Sequence, residues 1–160
     1  MFLGFTAFTW FHTILSLVAL AAGFVVVRDL FASRTPPALT AIYISTAALT
    51  DVTGFGFNFP FGPSHVVGII SLVFLAVVIL AYYVFKLAGP WRWIYAAGQV
   101  VTLYFLVFVL VAQFFKKIPA LTALAPTLSE PPFAVAQTVV VVIFAWLTYR
   151  AARSFDPPIR

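Results

Sequence analysis

Four side chains in this sequence have the types and placement to do ligand or proton chemistry: His12, Asp51, His65 and Glu130. Imidazole and carboxylate are both good ligands for Zn²⁺, so these four form a candidate metal set. His12 and His65 are the only histidines, and two histidines can also hold a haem iron axially. An imidazole beside a carboxyl is alternatively a proton-binding pair, which would make His12 and Asp51 the centre of a small proton-coupled transporter or channel subunit. A third reading is a purely structural or accessory membrane subunit, or a binder that grips the head of a lipid-like or quinone-like molecule, with Thr9, Thr50 and Gln113 adding hydrogen bonds. No HExxH or CxxCH spacing is present. The absence of cysteine excludes disulfides, iron–sulfur clusters and thiolate zinc sites. Ser64 adjoins His65, but consecutive residues on a helix diverge, so they do not make a nucleophile–base pair. The enzymatic reading that remains is a zinc-activated water at His12, Asp51 and His65, which would make a membrane hydrolase. The balance of residues favours a protein that binds rather than one that catalyses.

These residues must be positioned by elements that live in lipid. Only 8% of the 160 residues are charged and 64% are hydrophobic, too few charges to cover a water-facing surface. A net charge of +5 in a soluble protein would suggest nucleic acid, but here the cations flank apolar runs and no nucleic-acid partner is expected. A bilayer core is crossed by about 20 apolar helical residues. The spacing predicts five spans, at about 3–27, 36–55, 65–85, 93–115 and 132–149. Together they form one transmembrane domain over 1–160. The first run lacks a basic leader and a small-residue cleavage pattern, so it reads as a retained helix.

Punctuation supports these boundaries. Thr35 and Pro36 read as N-cap and first helical residue of the second span. The stretch from Gly54 to Pro63 is rich in glycine, proline and phenylalanine, which makes it an interfacial loop. Ser64 reads as the cap of the third span, and Gly89-Pro90 as a turn. Trp91, Trp93 and Tyr95 read as headgroup-level rings. The connection 118–131, broken by Pro119 and Pro126, has apolar stretches suited to a short helix along the surface.

The cations are sorted between the two ends. Five spans place Arg28, Arg34, Lys86, Arg92, Arg150, Arg153 and Arg160 on one side and Lys116 and Lys117 on the other. The positive-inside rule then puts the N-terminus outside and the C-terminus in the cytoplasm of a bacterial-type inner membrane. The expected fold is therefore an all-α, five-helix transmembrane bundle surrounded by lipid. The Ala19–Gly23 spacing allows close packing within the chain or in a homo-oligomer or larger complex.

Counting residues from the basic end sets depths. His12 is 16 residues from Arg28 and Asp51 is 16 from Thr35, each roughly 24 Å at 1.5 Å per residue. His65 and Gln113, each 21 residues from a basic flank, come at roughly 31 Å. The expectation is an outward-facing polar pocket in two tiers that binds a small ligand, a metal or a cofactor. Thr9, Thr13 and Ser16 extend the His12 face inward. Structural roles stand beside these: a His12–Asp51 pair tying two helices, His65 as a first-turn residue, Glu130 as a charge at a helix start, and Arg28 with Asp29 as interface anchors. Gln99, Thr102 and Gln113 share roughly one face of the fourth helix, which is expected to face the bundle.

Overall fold

The computed structural model describes residues 6–57 and 62–157, and among them every regular element is helical. The helices are α1 (Ala7–Phe31), α2 (Pro37–Gly54), α3 (Pro63–Ile79) continued by a π-helical turn (Leu80–Val84), α4 (Trp91–Lys117), α5 (Pro119–Leu124) and α6 (Pro131–Ser154). Four helical stretches are long and apolar enough to cross a membrane: Ala7–Phe31, Ser64–Val84, Trp91–Lys117 and Pro131–Ser154. The chain is therefore read as a multi-pass membrane protein. α2 is shorter and more polar, and its 18 residues rise roughly 27 Å.

Helices α1, α2, α3 and α4 close a ring in which each packs on its sequence neighbour and α1 returns against α4; α6 lies outside, along α4. Contacts between neighbours are antiparallel throughout. His12 meets Thr53 near one end of the α1–α2 pair and Gly23 meets Tyr43 further along. Two glycines set the closest approaches. A Cβ at Gly23 would lie 2.7 Å from the Tyr43 ring and 2.8 Å from Leu103, and one at Gly98 would lie 2.6 Å from Val78. The small-residue spacing at Ala19 and Gly23 is thus used inside the chain. The outward faces of α3 and α6 carry exposed Val66, Ile70, Val73, Val135, Val139 and Val142, as lipid-facing surfaces do.

The ring gathers Arg28, Arg34, Lys86, Arg92, Arg150 and Arg153 at one end and Lys116 and Lys117 at the other. Arg160 lies outside the described residues. At the arginine end, buried Asp29 accepts from Arg28 at 3.1 Å and Arg34 at 2.9 Å, tying α1 to the turn that follows. It is more than an interface anchor. Ser33 there takes a left-handed backbone (φ 52°), donates to the Ser154 carbonyl and accepts from the Asp156 N–H at 3.0 Å. Asp156 also pairs with Arg92.

Several local expectations change. α2 starts one residue later than its proline pattern suggests: Pro36 is the cap, Pro37 the first helical residue, and Thr35 is buried just before the cap. α3 is capped at Gly62, not Ser64, because the His65 imidazole reaches back to accept from the Gly62 N–H at 3.1 Å. Tyr95 is not interfacial; it is fully buried against Tyr82 and Phe155. The expected short helix after α4 is present as α5.

Candidate functional site

The four candidate ligands go to different neighbours. On α1, His12 Nδ1 lies 2.8 Å from Thr53 Oγ1 of α2, and its ring meets Phe57 edge-on at 4.8 Å. The Thr53 hydroxyl also sits 2.7 Å from the Leu49 carbonyl, the back-bond that threonine makes in helices. Its proton goes there, its lone pair faces His12, and we assign the Nδ1–H tautomer on that basis. Asp51 is two residues from Thr53, about 200° around α2. It therefore turns to α3, where its backbone approaches Gly68 and its carboxyl lies near Ser71 without a direct hydrogen bond. His12 and Asp51 share a depth but face opposite sides of α2, and they do not form a pair.

His65 is buried in its helix cap and stacks on Phe55 at 5.7 Å. Glu130 turns into its own loop, accepting from the Thr127 hydroxyl at 2.8 Å and from the Thr127 and Ser129 N–H groups. Slight desolvation would raise its pKa, but the hydrogen bonds from Thr127, its own backbone and Ser129 outweigh it and hold the carboxyl below the ordinary glutamate range. The set His12, Asp51, His65 and Glu130 is thus not assembled. Among the described residues no group of three His, Cys, Asp or Glu side chains is close enough to hold a metal ion. His12 and His65 have separate partners on separate helices, so this geometry lends no support to zinc or haem.

The remaining polar candidates divide. Gln113 is exposed and leaves the site. Thr9 bonds Thr6 at the start of α1 and, with Trp10, Thr13 and Lys117, lines a cavity of about 180 Å³ at the lysine end. Thr50 is buried, and its hydroxyl has no protein partner. Phe55 and Phe57 do make an apolar wall for the two histidines; Asn58, Phe59, Pro60 and Phe61 lie outside the described residues.

The larger polar feature lies deeper. Tyr43, Tyr95, Gln99 and Thr102 are 0% exposed, and Thr40 and Ser71 1%. The Tyr43 hydroxyl donates to the Gln99 carbonyl at 3.3 Å. The side-chain polar atoms of Thr40, Ser71, Tyr95, Gln99 and Thr102, together with Tyr82 Oη and Asp51 Oδ2, have no hydrogen-bond partner in the protein. These groups come from α2, α3, α4 and the π turn, and they line the ring's interior. The polar character of α2 and the Gln99–Thr102 face of α4 announce part of this in the sequence. Tyr82 and Tyr95 do not, because their inward direction depends on the π turn and on how α3 and α4 are rotated against each other.

No protein-family model matches the chain, and no curated protein or solved structure is similar enough to be matched.

Proposed function

We propose a five-span membrane protein, N-terminus outside and C-terminus cytoplasmic, in a bacterial-type inner membrane. In it, Asp51 is a proton-binding group of a small proton-coupled transporter or channel subunit. The observation that carries this reading is the Asp51 carboxyl, set between membrane helices with one oxygen buried and unpartnered. An ionisable side chain in a span is costly and marks an ion or proton pathway by default. Asp51 sits three residues from the outer end of α2, so protons reach it from that side. The span count is supported by α2 packing in the ring between α1 and α3, and the orientation by the gathering of arginines at one end. Purified protein in liposomes, with a pH-sensitive dye inside and a potential imposed, tests it. The wild type should pass protons and Asp51→Asn should lose most of that flux. Equal flux in the two proteins sinks the reading.

A second reading keeps the outward-facing ligand pocket and moves it. The cavity among Thr9, Trp10, Thr13 and Lys117 offers hydroxyls, an indole and a cation to the anionic head of a lipid-like molecule. Tight co-purification of an anionic lipid, lost in Lys117→Gln, would favour it.

A further inference from the structure

Resting on Asp51 as the proton-binding group, we propose that the ring's interior is a hydrated hydrogen-bonded file joining Asp51 to the arginine end, and that Phe155 closes it there. The side chains form successive levels. Thr40 and Gln99 lie near the Tyr95 hydroxyl without a direct hydrogen bond to it, and Tyr82 stacks on Tyr95 at 5.3 Å. Tyr43 and Gln99 meet at the next level. Thr102 follows one turn further along α4, and then come Thr50, Asp51 and Ser71. Helical rise separates neighbouring levels by roughly 4.5–6 Å and the whole file by roughly 16 Å.

That spacing is informative. Two oxygens about 5.5 Å apart are joined by one water through two bonds of about 2.8 Å. A buried polar atom in a membrane interior with no hydrogen bond costs several kcal/mol, and buried waters are the usual partners of such groups. The atoms without protein partners stand on facing helices, so one row of waters serves them together. In such a file a proton moves by exchange. The Asp51 carboxyl gives its proton to the adjacent water, each water passes one on, and a proton leaves at the far end. Each step breaks one O–H bond and forms another, and Asp51 then takes up a proton from the outer side, so the only net change over the cycle is one proton carried down its gradient.

The file meets its barrier at Tyr95. Phe155, 3% exposed, packs on the Tyr95 ring at 5.7 Å. It is held from both sides: Ser33 bonds Ser154 and Asp156, and Asp156 pairs with Arg92. The titratable or charged groups at the outer end are His12 on α1, His65 at the start of α3, Lys116 and Lys117 at the end of α4, and Glu130 before α6. The Glu130 carboxylate is held in its own loop by Thr127 and Ser129, which leaves Asp51 as the carboxyl set between the helices to receive the proton.

The liposome assay with near-isosteric replacements tests the route separately from the site. Thr102→Val and Gln99→Leu should each cut proton flux about tenfold or more, the rate consequence of removing one hydrogen-bonded link, while Thr102→Ser stays near wild type. In the same Thr102→Val protein, the infrared carboxyl band assigned by Asp51→Asn should still respond to outside pH. Phe155→Ala should raise flux several-fold and Phe155→Leu should not. Helical circular dichroism and gel-filtration profiles matching wild type qualify each variant. If folded Thr102→Val and Gln99→Leu conduct like wild type while Asp51→Asn does not, the file is wrong and Asp51 stands. If Asp51→Asn also conducts like wild type, or the wild type passes no protons, both proposals fail and the polar interior is structural.

Discussion

A carboxyl inside a membrane helix costs free energy, and its surroundings say what it gains in return. Asp51 has no cation across from it and no imidazole on its face of α2; its neighbour is Ser71, and Oδ2 is left without a partner. Asp29, by contrast, is paired with Arg28 and Arg34 through one carboxylate oxygen and behaves as a structural anchor. His12 is likewise structural here, a donor to Thr53 that ties α1 to α2. Glu130 offers a test at this scale. Its pKa is depressed in the folded protein, so the stability it adds is present above the ordinary carboxyl pKa of about 4.3 and is lost as pH falls through the lower folded value. The Thr127 and Ser129 amides should therefore be protected from exchange at neutral pH, and Glu130→Ala should remove that protection there. Equal protection in the two proteins would show that the loop does not depend on the carboxylate.

At the scale of elements, α4 is the shared wall. It packs on α1, α3 and α6, and one face of it carries Tyr95, Gln99, Val100, Thr102, Leu103 and Leu106 into the interior. Its rotation is set by Gly98, which lets Val78 of α3 sit where a side chain would otherwise be. Gly98→Ala should cost about 1–3 kcal/mol, the usual range for overpacking a filled core. Adding Val78→Ala should recover much of it, since residues in contact do not add independently. Thermal unfolding in detergent reads both, and a harmless Gly98→Ala would mean that α3 and α4 are free to shift. The π turn Leu80–Val84 is a second device at this scale. It changes the phase of the end of α3 and sets Tyr82 against Tyr95. Such single π turns recur at functional sites.

At the scale of the molecule, the four-helix ring buries a largely apolar core with a set of unpartnered polar side chains within it, while α6 and the outer face of α3 expose apolar side chains. The proposed five-span topology, with the arginine end inside, makes a direct prediction. Single cysteines at Ala32→Cys and Asn58→Cys should react with a membrane-impermeant thiol reagent from opposite sides of the membrane. Labelling of both from one side would make α2 a re-entrant or surface helix and would reverse the sidedness of part of the chain.

Local composition decided much of this protein. Lipid as solvent, the positions of the long helices to within a few residues, the short helix after α4 and the sorting of cations all follow from apolar run length, prolines and charge, which need no knowledge of neighbours. Depth was legible too, since helical rise is constant: His12 and Asp51 do share a level. Direction was not. Asp51 and Thr53, two residues apart, face different helices; Gln99 and Thr102 are buried while Gln113, on roughly the same face, is exposed; Tyr95 points inward rather than to the headgroups. These outcomes depend on how each helix is rotated about its axis. That rotation is set by contacts between distant residues, at Gly23 with Tyr43 and Gly98 with Val78, and by a π turn that no local pattern announces. Tertiary packing therefore decided that the expected His12–Asp51 pair is replaced by a polar interior shared among α2, α3 and α4.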